Sequence, residues 1–315
     1  VKMFDLHYDL LTQVYINKEE IDYLKEYFKK VYNNQNIIGG IFNLFYMSPK
    51  EMKEELNIER QEIDLIKNLE TVTSLIKEYQ LIPKETKYII GIEGLDYLKN
   101  IEDIDKIYEL GVRSTNIVWN NNNKFGGGAK GDKKQGLTYI GRELIKKLVQ
   151  KNIAIDLSHA NTKTFYNIIN YCKKLKKEGL NPIVFASHSN CKTICNTPRN
   201  LTDNQIKEIA NLGGVIGIVG IKQFCSLKGN NYKEKYVEHI NYVKKLLGGV
   251  DNICVSTDNM EYYKIEPERY KTMNVFNQTK VKQGIQELLI QNKYTKEEIE
   301  KILYKNFQTK ILQRL

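Results

Sequence analysis

The segment NIAIDLSHANTKTFYNIINYCKKLKKEGLNPIVFASHSN, residues 152–190, carries the pattern that decides the fold. Two short apolar runs, IAIDLS and PIVFAS, are typical of buried strands, and the longer amphipathic stretch between them is typical of a surface helix. A strand, a helix and a second strand in this order are the repeating element of α/β proteins. Each of the two runs is also followed closely by a histidine, His159 in the first case and His188 in the second.

The same alternation runs through the whole chain. The candidate strands are KMFDLH (2–7), NIIGGIFNLF (36–45), KYIIGIE (87–93), VRSTNIVW (112–119), IAIDLS (153–158), PIVFAS (182–187), GGVIGIVGI (213–221) and NICVST (252–257). Most are apolar on both faces, which indicates parallel strands covered by helices. Eight βα units favour a closed (β/α)8 barrel over an open doubly wound sheet, with extra helices at the C-terminus.

Several helix starts can be recognised from capping boxes. In a capping box, the side chains of two residues three positions apart each accept a hydrogen bond from the backbone amide of the other. Two pairs have this spacing, Thr202 with Gln205 and Thr295 with Glu298. A third helical pattern covers residues 48–79. No linker rich in Pro, Gly or Ser divides the chain, so we expect residues 1–315 to form a single α/β domain.

Composition excludes some classes of protein and leaves others open. The 315 residues are 41% hydrophobic and 27% charged, and no apolar run reaches the length of a membrane span. No secretory signal is recognisable, so we expect a cytoplasmic protein without membrane partners. The net charge of +10 comes from lysines scattered over helix faces, with no aromatic-basic motif, so we expect no nucleic-acid partner.

The cysteines are expected to be reduced and structural. They are odd in number and contain no CxxC pair, which argues against a disulfide framework and a cysteine zinc site. The set is Cys172, Cys191, Cys195, Cys225 and Cys254.

Ligand-type side chains gather at the predicted carboxyl ends of the strands. The set is His7, Asp9, Glu93, His159, His188 and Asp258. Because these ends meet on one face of a barrel, the residues are expected to converge there. Imidazole and carboxylate suit Zn²⁺ and similar divalent ions, so the pattern predicts a metal site. His239 lies inside a helix-like run and is expected to be structural.

The ordered elements FDLHYD, GIEG, GLTYIGRELI, IDLSHA, ASHSN, TPRNLTD and STDN resemble the membrane (renal) dipeptidase family of metallopeptidases, in the amidohydrolase superfamily. The resemblance covers nearly the whole chain. It implies a (β/α)8 barrel that hydrolyses the amide bond of dipeptides through a hydroxide bridging two divalent metal ions, most often zinc. Relatives often form dimers, which would make a homodimer the expected partner state.

The resemblance also assigns roles to individual residues. His7 and Asp9 would bind one metal, His159 and His188 the second, and Glu93 would bridge both. Asp258 would shuttle the proton. Arg199 in TPRN would grip the free carboxylate of the substrate; the alternative is a solvated surface arginine.

One position departs from the family pattern. After the fourth strand, family members carry a histidine followed by an asparagine that faces the substrate carbonyl; here Trp119 and Asn120 stand in NIVWNNNNKFGGG (116–128). Indole can donate a hydrogen bond but cannot carry a proton or a positive charge. Trp119 and Asn120 are therefore expected to bind substrate in a reshaped pocket, or Trp119 is a packing residue. The glycines and asparagines are expected to form a mobile loop over the site that is able to adopt turn conformations with positive φ.

Two other functions therefore stay open. One is a related amidohydrolase that acts on another small amide or on an acyl-amino acid. The other is a non-catalytic metal-binding relative, although such a protein has no need to keep the complete set of ligand-type residues.

Overall fold

All eight predicted strands are present in the computed structural model, which describes residues 1–32, 35–46, 63–259 and 272–315. In chain order they are β1 (Met3–Tyr8), β2 (Ile37–Phe45), β3 (Lys87–Glu93), β4 (Val112–Asn116), β5 (Ala154–Asp156), β6 (Val184–Phe185), β7 (Ile216–Val219) and β8 (Ile253–Ser256). Nearly every strand residue is buried, as expected for parallel strands that are covered on both faces.

The strands form a closed parallel barrel. Strands β1 to β6 are paired in sequence order in one sheet, and β7 pairs with β8. A parallel bridge between Ala186 and Ile216 joins the two sheets on one side, and a bridge between Tyr8 and Asn259 joins them on the other. The order around the barrel is therefore the order along the chain, which confirms the predicted (β/α)8 fold.

Helices follow the strands and cover the outside of the barrel. They are α1 (Leu10–Ile16), α2 (Ile21–Val31), α3 (Leu65–Glu78), α4 (Ile104–Glu109), α5 (Tyr139–Gln150), α6 (Thr162–Lys177), α7 (Asp203–Asn211), α8 (Lys222–Cys225), α9 (Tyr232–Leu247), α10 (Val281–Gln291), α11 (Lys296–Glu300) and α12 (Asn306–Lys310). The capping boxes of Thr202 and Thr295 are both formed. Of the predicted 48–79 helix, residues 48–62 lie outside the described residues.

The C-terminal helices close one end of the barrel. Phe307 on α12 stacks on Phe4 of β1 with ring centroids 4.6 Å apart. It belongs to a buried cluster that includes residues from six strands, namely Phe4, Ile41, Ile89, Ala154, Phe185 and Cys254. Asn306 donates hydrogen bonds to the carbonyls of Val250 and Ile253, at the start of β8. The amino-terminal end of the barrel is thus filled, which leaves the carboxyl ends of the strands for a ligand.

Two predictions from composition can be compared with this fold. All five cysteines are free and buried, as expected for structural thiols. Among the helices in the described ranges, none combines the length and apolar character needed to cross a bilayer.

Candidate metal centre at the carboxyl ends of the strands

A cavity of about 410 Å³ opens at the carboxyl ends of the strands. Of the predicted site residues, the cavity is lined by Asp9, Glu93, Trp119, Asn120, His159, His188, Arg199 and Asp258. The remaining one, His7, is fully buried and lies next to Asp9 and Glu93. Residues that are more than 250 positions apart in sequence are therefore brought to one place by the closure of the barrel.

Three of these residues form a first group that could hold a cation. The Nε2 atom of His7 lies 3.3 Å from Asp9 Oδ1 and 3.6 Å from Glu93 Oε1. All three atoms are buried and have no hydrogen-bond partner among the described residues. Buried polar atoms are normally paired, so three converging unpaired ones indicate a missing ligand.

A second group shares Glu93 with the first. Glu93 Oε1 lies 2.7 Å from His159 Nε2 and 3.1 Å from His188 Nε2. The two imidazole nitrogens are themselves 2.9 Å apart. Each group of three could bind a metal ion, because its ligand atoms lie within 4.8 Å of one another. A third overlapping group consists of His7, His188 and Asp258, with His7 Nε2 3.9 Å from Asp258 Oδ1.

Burial and mutual charge shift the protonation of these ligands in opposite directions. Burial lowers the pKa of His159 and of His188 well below the usual value, so both rings are neutral, as metal ligation requires. Burial would also lower the pKa of His7, but Glu93 and Asp9 outweigh it and raise that pKa.

Ser187, directly before His188, connects two of the histidines. Both oxygens of Asp156 are acceptors: Oδ1 accepts the backbone amides of Ser158 and Ser187 at 3.0 Å, and Oδ2 accepts the Ser187 hydroxyl. The single proton of the hydroxyl is thereby used, and its lone pairs face Nδ1 of His188 at 2.6 Å and Nδ1 of His7 at 3.1 Å. Both Nδ1 atoms must then carry the hydrogen, which leaves both Nε2 atoms free to bind metal when the rings are neutral.

Two asparagines complete this arrangement. Asn120 Oδ1 lies 3.0 Å from Nδ1 of His159 and holds that ring in the same tautomer. The amide nitrogen of Asn43 lies 3.1 Å from Nδ1 of His7 and donates to the carbonyl of Ile41. Asn120 is thus placed to orient a ligand, and its predicted contact with the substrate stays a prediction.

Replacing Ser187 with alanine is expected to weaken metal binding by roughly 10- to 100-fold, because two ligand imidazoles lose the acceptor that orients them. The measurement is a competition titration of zinc against a chromophoric chelator, which does not depend on enzyme activity. Ser189→Ala is the matched control, since Ser189 is equally buried but, within the described residues, its hydroxyl bonds to that of Ser158 and to no histidine. Equal zinc affinities for the two variants would contradict the connecting role of Ser187.

Arg199 is buried at the edge of the cavity, on the loop after β6. Its side chain has one nitrogen, Nη2, that is buried and has no hydrogen-bond partner among the described residues. The guanidinium carbon lies 5.4 Å from the ring centre of Phe224. The neighbouring Asn200 holds the loop in place by donating to the carbonyls of Cys195 and Phe224. A buried guanidinium with a free donor, facing a cavity, is suited to an anion.

His239 supports the same loop from α9. Its Nδ1 accepts the backbone amide of Cys191 at 3.1 Å, and its Nε2 lies 3.1 Å from the carbonyl oxygen of Cys225. These bonds use both ring nitrogens and lie outside the ligand groups. The prediction that His239 is structural agrees with them.

Trp119 lies beside the metal ligands at the cavity wall. Its ring stacks on Phe45, with centroids 5.5 Å apart, and on His159, with centroids 5.9 Å apart. Gly94 follows β3 at φ +86°, and a side chain there would meet the Cβ of Trp119 at 3.1 Å. The indole is thus packed against its neighbours and also lines the cavity, and its predicted contact with the substrate stays a prediction.

The stretch NIVWNNNNKFGGG does not use the positive φ angles that its glycines and asparagines permit. None of residues 116–128 has a positive φ. Instead the asparagines bond the loop to itself: Asn123 Oδ1 accepts the amides of Phe125 and Gly126, and Asn122 Oδ1 accepts that of Gly128. Glycine is needed at position 128 for close approach, since a Cβ there would lie 2.4 Å from the Asn121 carbonyl oxygen.

The backbone at two site residues adopts the left-handed conformation. His159 has φ +70° and Asp258 has φ +47°. This conformation is uncommon for residues other than glycine, although histidine and aspartate tolerate it better than most. Both residues stand at the carboxyl end of a strand, where the chain turns away and the side chain is directed to the cavity.

Sequence patterns missed Ser187, Asp156 and Phe45 as parts of the site. The first two stand inside the quoted motifs ASHSN and DLSH, directly beside the predicted ligands. Their position next to a histidine at a strand end was a usable signal. Phe45 carried no such signal, because it reads as the last apolar residue of a strand.

Comparison with known proteins bears on the whole chain. A profile of the membrane dipeptidase family (peptidase family M19) matches residues 1–314. An uncharacterized protein from the PQQ-III 3' region of Acinetobacter calcoaceticus is 32% identical over 203 residues, which cover 60% of this chain and 62% of that protein. The matched region is thus less than two thirds of the relative's length.

Two solved structures resemble the chain over nearly its full length. A family M19 metallopeptidase described as dipeptidase AC has a TM-score of 0.76 at 18% identity, covering 100% of this chain and 98% of that one. A metallopeptidase from Rhodobacter sphaeroides, solved with a phosphinate mimic of the dipeptide L-Ala-D-Ala, has a TM-score of 0.75 at 18% identity, covering 100% and 99%. At this identity the likeness concerns the fold.

Proposed function

Since the chain belongs to the membrane dipeptidase family (peptidase family M19), we propose that it is a metal-dependent dipeptidase. The observation that carries the proposal is the pair of ligand groups that share Glu93 Oε1, a few ångströms from one another in a cavity that also contains Arg199. Hydrolysis of a short peptide with a free C-terminus needs cations that activate the amide bond and a group that binds the terminal carboxylate. The ligand groups could supply the first and Arg199 the second.

The proposed metal ligands follow the two groups. His7, Asp9 and Glu93 would hold one divalent cation, and Glu93, His159 and His188 the other, with zinc as the proposed metal. When bound, a pair of such cations lowers the pKa of a shared water and polarises the scissile carbonyl. The donor set fits, because it combines neutral imidazoles with carboxylates and leaves the cavity side open for substrate.

Arg199 would orient the substrate. Its free Nη2 donor and its position at the cavity edge suit a bidentate bond to the C-terminal carboxylate of a dipeptide. Holding the carboxylate there would place the amide bond over the ligand groups and remove much of the entropic cost of the reaction.

Asp258 would move the proton. Burial raises the pKa of its carboxyl group above the usual range, although the nearby His7 opposes the shift. A carboxylate with such a pKa can accept the proton of the attacking water and return it to the leaving amine. Its position beside His7 and at the cavity surface gives it access to both.

The test is a metal analysis of the purified protein followed by a dipeptide assay. We expect close to two divalent ions per chain, hydrolysis of L-Ala-L-Ala or L-Ala-D-Ala, loss of activity with a chelator, and recovery when zinc or manganese is restored. A matched sample that is carried through the same dialysis without chelator is the control. The absence of metal and of turnover would overturn the proposal, whereas metal without dipeptide turnover would favour an acyl-amino acid or another small amide as substrate.

A further inference from the structure

Two apolar surfaces line the cavity, separated by the ligand groups. One consists of Phe45, Trp119 and Met273, which pack together and which we call the apolar wall. The other consists of Ile221, Phe224 and Leu227, next to Arg199. No charged side chain belongs to either set.

The barrel places the two aromatic residues of the apolar wall across the metal centre from the second surface. Phe45 ends β2 and Trp119 follows β4, whereas Arg199 follows β6 and Phe224 follows β7. Because the strands are ordered around the barrel as they are in the chain, β2–β4 lie across from β6–β7. Glu93, at the end of β3, stands on the same side as the apolar wall.

If Arg199 binds the C-terminal carboxylate of a dipeptide, the N-terminal residue would therefore contact the apolar wall. An extended dipeptide spans about 7 Å, so a carboxylate on Arg199 and an amide at the ligand groups leave the N-terminal residue beyond them. A large apolar side chain at this position would be buried against the aromatic residues Phe45 and Trp119. A charged side chain would lose its hydration with no partner supplied by the wall.

We infer that the apolar wall is a specificity pocket that selects dipeptides with a large apolar or aromatic N-terminal residue. The inference rests on the proposed dipeptidase function. Trp119 is its central element, because its ring stacks on Phe45 and on His159, and so its position is set before substrate arrives.

The experiment compares kcat/KM for Phe-Ala, Gly-Ala, Lys-Ala and Glu-Ala on the zinc-loaded protein. We expect Phe-Ala to exceed Gly-Ala roughly 30-fold, and Lys-Ala and Glu-Ala to lie at or below Gly-Ala. Trp119→Ala is expected to lower the Phe-Ala to Gly-Ala ratio about tenfold through the Phe-Ala value. Trp119→His is expected to raise the turnover of Gly-Ala and also to lower the ratio. Tyr139→Ala, an exposed residue on α5, is the control that leaves both values unchanged.

A binding measurement separates this inference from the proposed function. Trp119 is the single tryptophan of the chain, so its fluorescence reports directly on the wall. The probes are phosphinate mimics of Phe-Ala and Gly-Ala. Phe45→Ala is expected to weaken the binding of the Phe-Ala mimic about tenfold and to leave that of the Gly-Ala mimic unchanged. Thermal unfolding followed by circular dichroism checks that the variant is folded.

The outcomes are distinct. No hydrolysis of any dipeptide would overturn the proposed function. If dipeptides are hydrolysed but the ratio of kcat/KM for Phe-Ala to that for Gly-Ala is near one, or is unchanged in Trp119→Ala, the inference alone is overturned. A preference for Glu-Ala would also overturn it and would assign substrate selection to Lys130, which lines the cavity.

Discussion

Replacing Glu93 with glutamine is expected to abolish dipeptide hydrolysis, with kcat/KM falling by about a thousandfold or more. One oxygen of Glu93 is shared by both ligand groups, within 3.1 Å of His188 and 2.7 Å of His159. The neutral amide removes the negative charge that would attract both cations, and metal catalysis supplies several kcal/mol of transition-state stabilisation. Metal analysis should show fewer than two ions per chain in the same preparation.

The matched control is Glu102→Gln, an exposed glutamate outside the cavity. It makes the same chemical change on the surface and is expected to leave metal content and kcat/KM unchanged. Full activity of Glu93→Gln with two bound ions would rule out the shared role of this carboxylate.

Replacing Arg199 with glutamine is expected to lower kcat/KM for dipeptides about a hundredfold or more. Hydrogen bonds to a charged group contribute about 1.5–3 kcal/mol each, and a bidentate contact makes two of them. Metal content should stay at the wild-type level, because Arg199 belongs to none of the candidate ligand groups in the described part of the chain. Steady-state kinetics on L-Ala-L-Ala gives the measurement.

The control for the Arg199 variant is a substrate without the C-terminal carboxylate. L-Ala-L-Ala amide lacks the carboxylate, so its slow hydrolysis should be nearly equal in the wild type and in Arg199→Gln. Arg199→Lys tests geometry, because lysine keeps the charge but cannot make the planar bidentate contact. Equal losses on both substrates would show that Arg199 acts on the cavity as a whole and not on the carboxylate.

The fold could be predicted because its signal is local. Each strand is a short apolar run, and the rule that parallel strands end on one face of a barrel converts the positions of His7, His159 and His188 in the sequence into proximity in space. Even β6, a strand of two residues (Val184–Phe185), is recognisable from the β-branched residues of its apolar run.

The finer structure of the site could not be predicted in the same way, because it depends on contacts through space. The Ser187 hydroxyl contacts the imidazole of His7 on β1, that of the next residue, His188, and the carboxylate of Asp156, and this threefold contact is formed only in the folded barrel. The stacking of Phe45 on Trp119 joins residues 74 positions apart. Asparagine and glycine indicate turns in general, and sequence does not distinguish a positive φ from a close backbone approach.

The left-handed conformation of His159 and Asp258 bears on how this protein can evolve. Each costs roughly 1 kcal/mol relative to glycine, which adopts that conformation freely. Selection for thermal stability alone would therefore favour glycine at both positions, and it would remove an imidazole and a carboxylate from the cavity. A stabilisation campaign on this barrel should therefore keep both positions unchanged, because glycine there would relieve the backbone and lose the chemistry.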